Sequence, residues 1–152
     1  MESIIINLQT ACSKKIYFPK KIHYLKWIQA SLNKRSSNLE ITIRIVKSSE
    51  MQSLNFKYRK KNKTTNVLSF PSTSNTIVKS NFIGDLIICS DIIKKEAIKF
   101  NKEIKSHWAH MVIHGTLHLL GYDHNNYYNS KKMKHLEIKI MSSLGYKNPY
   151  TK

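Results

Sequence analysis

The sequence predicts an α+β fold with an α/β-like character: a small mixed β-sheet of about four strands with helices around it, in one domain spanning 1–152. Three observations carry this. Short β-branched runs recur at Ile4–Leu8, Leu39–Val46, Val67–Phe70 and Ile83–Cys89. Stretches with apolar residues at helical spacing lie between and after them. No internal repeat and no linker rich in Pro, Gly and Ser divides the 152 residues, a length that suits one core.

The elements follow in order. Ile4 to Leu8 opens the sheet. Pro19 suits the first turn of a helix that continues through Ile22, Leu25, Trp27, Ile28 and Leu32 and is broken by Ser36, Ser37 and Asn38. Leu39 to Val46 is the clearest strand. Leu39, Ile41, Ile43 and Ile45 share one face, and Glu40, Thr42 and Arg44 share the other. Ser48-Ser49-Glu50 suits the cap of a helix carrying Met51, Leu54, Asn55 and Tyr58. Arg59 to Thr65 reads as a polar, basic loop, and Pro71 stops the strand that follows it. Ser72 to Asn81 reads as a mobile loop. Ser90 or Asp91 caps a helix with Ile92, Ile93, Ala97, Ile98 and Phe100 on its apolar side. His107 to Leu120 is apolar almost all round, which predicts a central buried helix ended by Gly121. The last helix runs from about Ser130 to Leu144, where Gly145 stops it.

Composition narrows the function classes. Hydrophobic residues make up 41%, enough for a packed core rather than a disordered chain. No apolar run approaches a membrane span, and the start does not read as a signal peptide, so the expected compartment is the cytoplasm. Cys12 and Cys89 fit no CxxC pattern and read as two reduced thiols, which excludes a cysteine-rich structural zinc. The formal charge of +17 points to a polyanionic partner, nucleic acid first. Part of the lysine excess reads as drift in an AT-rich genome, since only Arg35, Arg44 and Arg59 are arginines.

The segment HGTLHLLGYDH, from His114 to His124, carries the chemistry. His114 and His118 are four residues apart, so on a helix both imidazoles project from one face toward one ion. Gly121 can take the left-handed conformation that ends a helix and reverses the chain, bringing His124 back to the same ion. Three neutral imidazoles leave one coordination position open to water, as at catalytic rather than structural zinc. Without partners, a buried stripe of His110, His114 and His118 would cost on the order of 2 kcal/mol for each unsatisfied group. Zinc is the expected ion, with nickel and manganese as alternatives. His110 has the same spacing to His114 and reads as a residue behind the ligands or in the core. Asp123 and Asp85 are candidates to orient a histidine; Asp123, Asp85 or the leaving phosphate could take the proton, the sequence not choosing among them, and Asp85 equally suits solvent. His107 reads as peripheral, and His23 and His135 as surface or packing residues.

The spacing also matches the zinc-protease pattern HExxHxxGxxH, with one departure. Gly115 stands where those proteases carry the glutamate that accepts a proton. Peptide hydrolysis by the usual route is therefore disfavoured.

HGTLHLLGYDH, together with LNFKYRKKNKTTNVLSFP (Leu54 to Pro71), GDLIICSDII (Gly84 to Ile93) and the LGYKNPY tail, closely resembles the YbeY family of bacterial endoribonucleases. The likeness runs from about Ile43 to the end. It implies a small mixed sheet with surrounding helices and a zincin-like metal-binding helix. It also implies a zinc-dependent, single-strand-specific endoribonuclease acting in 16S rRNA 3′-end maturation and ribosome quality control, with the ribosome or small-subunit proteins as partners. By motif match, His114, His118 and His124 take the zinc-ligand positions, and Arg59 takes that of the arginine implicated in cleavage. Asn66 stands where many members carry Asp, so it is assigned no acid-base role.

The residues agree with that transfer. Arg59 lies among Lys57, Lys60, Lys61 and Lys63. A guanidinium can fork onto a phosphate, and the lysines can supply salt-dependent attraction to the RNA backbone. Two other classes stay open: a ribosome assembly factor that binds rRNA around a structural zinc without cleaving it, and a zinc peptidase or amidase.

Overall fold

The computed structural model describes residues 3–12, 15–32, 38–72 and 81–151. Four strands, β1 (Ile4–Ala11), β2 (Leu39–Val46), β3 (Val67–Pro71) and β4 (Phe82–Cys89), form one sheet in the order β1-β2-β4-β3. β1, β2 and β4 run parallel, and β3 runs antiparallel to β4, so the sheet is mixed. The α+β class holds, and so does the count of four strands among the described residues. β1 runs three residues past Leu8 because it pairs with β2 along its whole length, from Ile4 opposite Leu39 to Ala11 opposite Val46.

Helices α1 (Lys21–Ser31), α4 (Ile104–Leu119) and α5 (Tyr127–Ser143) build the main core on one face of the sheet. The predicted inner face of β2 lies in it: Ile41, Ile43 and Ile45 are fully buried against Trp108, Val112 and Ile113. Helix α2 (Ser48–Arg59) covers the other face, where Met51 packs with Val46, Leu68, Ile87 and Cys89. Helix α3 (Ser90–Lys99) leaves the end of β4 and touches both α2 and α4. Cys12 and Cys89 are free.

Several helix boundaries differ from expectation. Pro19 lies before α1, because Lys20 keeps an extended backbone as its N-cap. Ser36, Ser37 and the segment 73–80 lie outside the described residues. Ser48 does not cap α2; its backbone N–H and hydroxyl both donate to Asp91 at 3.0 Å, so α2 is capped from α3. Glu50 instead accepts two hydrogen bonds from Arg44 at 2.8 and 3.1 Å, pinning α2 to the sheet. Arg59 is the last residue of α2 rather than part of a loop. Ile98 and Phe100 are exposed, because α3 turns only Ile93 and Ala97 of its apolar set fully inward. α4 begins at Ile104, a turn earlier than expected. α5 begins at Tyr127, where the Asn126 side chain accepts the Asn129 N–H at 2.8 Å.

Candidate metal centre

Helix α4 turns different residues toward different neighbours, and the site follows from that division. Gly115 faces the sheet: a Cβ there would meet Leu86 Cδ2 at 2.7 Å and Ser69 Oγ at 3.2 Å. The helix seats this closely only because no side chain intervenes. His114 and His118 lie on the side left partly open. The position that holds a glutamate in zinc proteases is thus packed against β3 and β4 here and has no room for one.

Each imidazole is oriented from behind. His118 Nδ1 lies 3.0 Å from the Tyr122 carbonyl oxygen. A carbonyl only accepts, so Nδ1 carries the proton and Nε2 is left with its lone pair. His114 Nδ1 lies 3.0 Å from Glu137 Oε1. Burial disfavours the charge of Glu137, but hydrogen bonds from His110 and His114 outweigh it and hold the carboxyl at about 2. An ionised carboxylate also only accepts, so His114 likewise presents a bare Nε2. The two Nε2 atoms face each other at 3.2 Å. Two lone pairs at that distance repel unless a cation lies between them. A tetrahedral ion with nitrogens at about 2.0–2.1 Å would hold them at a similar separation.

His124 reaches the same point through the turn after α4. Gly121 has φ +104°, and the Tyr122 N–H returns to the Leu117 carbonyl at 3.0 Å. Ligand atoms of His114, His118 and His124 all lie within 4.8 Å of one another, so the three could hold a metal ion. Burial, then the neighbouring His114 and His124, push His118 down to about 4, which keeps it neutral and able to ligate at physiological pH.

The open side of the histidines is one wall of a cleft of about 680 Å³. Arg59, Lys61 and Lys63 line the same cleft, brought there from the end of α2 and the chain beyond it. Lys57 and Lys60 do not line it. Lys57 stands over the Tyr58 ring, and Lys60 takes the left-handed conformation that ends α2. Asn66 also lines the cleft, but its amide donates to both oxygens of Glu96 at 3.1 and 3.3 Å.

The residues expected to orient the ligands sort differently. His110 is buried with Nε2 2.7 Å from Glu137 Oε1, so it shares the carboxylate that orients His114. Asp85 cannot orient a histidine: Leu86 packs toward Gly115, and strand alternation turns Asp85 to the opposite face of the sheet. Burial alone pushes the Asp85 carboxyl above its ordinary range. Asp123 lines the cleft, but its Oδ1 accepts from the Asn129 side chain at 3.1 Å and bonds no histidine among the described residues. His107 is not peripheral; it is buried, with Nε2 2.8 Å from Glu96. Glu137 escaped sequence reasoning, although one signal marks it. It is a lone acid on the stripe of Met133, Ile140 and Met141 that α5 buries.

The family model described as Endoribonuclease YbeY matches residues 8–145. The chain belongs to the YbeY endoribonuclease family. It is 54% identical over 150 residues to the Endoribonuclease YbeY of Buchnera aphidicola subsp. Baizongia pistaciae, covering 98% of this chain and 97% of that one. It is 53% identical over 152 residues to the Endoribonuclease YbeY of Buchnera aphidicola subsp. Acyrthosiphon pisum, covering 99% and 97%. The solution structure of TM1509 from Thermotoga maritima superposes with a TM-score of 0.55 at 22% identity, covering 97% of this chain and all of that one, a likeness of fold. Within the YbeY family frame, the peptidase reading loses its support, since Gly115 leaves no space for the glutamate that reading needs.

Proposed function

We propose that this endoribonuclease is zinc-dependent and single-strand-specific, with 16S rRNA at its 3′ end as its substrate in ribosome maturation and quality control. The observation that carries the reading is the shared cleft: the histidine cluster lies on one wall, and Arg59, Lys61 and Lys63 reach into the same space. His114, His118 and His124 hold the ion. When bound, zinc supplies Lewis-acid neutralisation of phosphate charge and an acidified water.

The remaining work falls to the chain's own side chains. Arg59 forks onto the scissile phosphate and stabilises the charge that develops on its oxygens. Lys61 and Lys63 hold the flanking backbone by charge alone, which carries no sequence information. Asp123 is the one carboxylate among the described residues lining the cleft, and we assign it the proton released by the attacking water. The ribosome and small-subunit proteins are the partners this reading implies, in the cytoplasm, in a single domain spanning 1–152. No helix among the described residues is long and apolar enough to cross a membrane.

The test compares purified wild type, His114→Ala and Arg59→Ala on unstructured RNA, with metal content measured on the same samples. His114→Ala loses metal and cleavage together. Arg59→Ala keeps its metal and loses cleavage by about 100- to 1000-fold, the scale for removing one donor to developing charge. Full cleavage by metal-free His114→Ala removes zinc from the mechanism. Metal-loaded wild type that binds rRNA and cuts none, free of contaminating nuclease, moves the protein to the assembly-factor class.

A further inference from the structure

Glu137 is fully buried, yet its carboxyl is the meeting point of three hydrogen-bond donors. It sits on α5, more than twenty residues from the ligand it meets. Oε1 accepts from His110 Nε2 at 2.7 Å and from His114 Nδ1 at 3.0 Å. Both oxygens also accept from the Tyr150 hydroxyl at 3.0 Å. Tyr150 belongs to the C-terminal tail beyond α5, and that tail is tied down independently. The Lys102 ammonium donates to the Pro149 carbonyl, Lys134 Nζ stands 5.2 Å from the centre of the Tyr150 ring, and the ring meets His110 edge-on at 5.2 Å.

A buried carboxylate held by three donors cannot rotate freely. A neutral imidazole left to itself exchanges between its two tautomers, and only one of them presents Nε2 to a metal. We propose that Glu137 is a positioning residue for the metal centre, locking His114 as its Nδ1–H tautomer, and that Tyr150 seats the carboxylate. The C-terminal tail thereby becomes part of the metal site without touching the ion. His110 is a further donor to Glu137, which gives this buried histidine a role that its spacing alone does not. The inference rests on the reading of His114 as a metal ligand, and not on RNA cleavage.

The test uses Glu137→Gln and Tyr150→Phe in the full chain, with zinc affinity from competition against a chromophoric chelator. Glu137→Gln keeps the shape of the side chain and is expected to bind zinc about 10- to 100-fold more weakly, the range for losing a group that orients a metal-bound histidine. Tyr150→Phe is expected to weaken zinc several-fold, as one hydrogen bond on the carboxylate disappears. The second readout is the imidazole nitrogen spectrum of the metal-free protein. Wild type shows His114 protonated at Nδ1, and Glu137→Gln shows a mixture of tautomers. A carboxylate that only holds α5 in place would lower the urea midpoint and leave the tautomer alone. Zinc affinity within twofold of wild type, with an unchanged His114 spectrum, overturns the proposal. Should Glu137→Gln fail to fold, Tyr150→Phe decides, and unchanged affinity there overturns it as well. Wild type that binds zinc tightly but cuts no RNA would sink the nuclease mechanism while leaving this inference standing.

Discussion

Ser69 on β3 donates its hydroxyl to the carbonyl of Gly115 on α4, 3.4 Å away. This contact sits beside the metal centre, with Ser69 itself on the wall of the cleft. It records how tightly the helix carrying His114 and His118 is pressed onto the sheet, and so how firmly both imidazoles are aimed.

That packing predicts the cost of filling Gly115. A Cβ would lie 2.7 Å from Leu86 Cδ2 and 3.2 Å from Ser69 Oγ, so those side chains must move. Overpacking of this kind costs about 1–3 kcal/mol, against which the better helix propensity of Ala returns at most about 1. Gly115→Ala should therefore lower the urea midpoint, and Gly115→Glu should fail to fold rather than gain peptidase activity. A Gly115→Ala protein as stable as wild type would show that the sheet yields easily.

Gly121 is constrained differently. Nothing lies within 4 Å of a Cβ built there, but its φ is +104°. The whole cost of Gly121→Ala is conformational, about 1–2 kcal/mol. Relief of that strain would move His124 away from its partners. The expected result is weaker zinc binding with little change in packing, read by chelator competition beside a urea curve. Zinc affinity that does not change would mean that His124 reaches the site without this turn.

The cleft assigns the lysines unequal roles. Removing Lys61 or Lys63 should each lower the slope of log affinity against log salt by about 0.7 for a short single strand confined to the cleft. Lys57→Ala with Lys60→Ala should leave that slope unchanged, since neither residue lines the cleft. Equal slopes for all four substitutions would mean that the lysines act only as a diffuse field.

Glu96 ties α3 to α4 and to the start of β3. Burial opposes its charge, but the hydrogen bonds from His107 and Asn66 outweigh that and hold its carboxyl below the ordinary 4.5. A carboxyl with a depressed folded pKa contributes stability that is present above the unfolded value and lost as the pH falls through the folded one. Wild type should thus exceed Glu96→Gln by about 1 kcal/mol at neutral pH. The gap should close as the pH falls below 4.5. Urea midpoints at neutral pH and at about pH 3 measure it, and a gap that ignores pH rules out the ionised pair.

Much of the fold was legible in local pattern. The alternation of Leu39 to Val46 marks a strand with one buried face, because side chains switch sides at every residue of an extended chain. The spacing of His114 and His118 and the glycine after them describe a helix end and a turn, because both depend on neighbours within about four residues. Where the pattern misled, a partner from another element had intervened: Asp91 took over the cap of Ser48, and Arg44 took Glu50.

The groups behind the metal centre obey no local rule. Glu137 meets His114 across 23 residues of chain, and Tyr150 closes on the same carboxylate from the tail. Asp85 has the right chemistry to orient a histidine, but its strand turns it to the wrong face. Arg59 enters the cleft only because α2 ends beside the open face of α4. Residue type and short-range spacing state which chemistry the chain carries. Which carboxylate serves which histidine depends on how α4, α5 and the sheet pack, and that is a property of the assembled core.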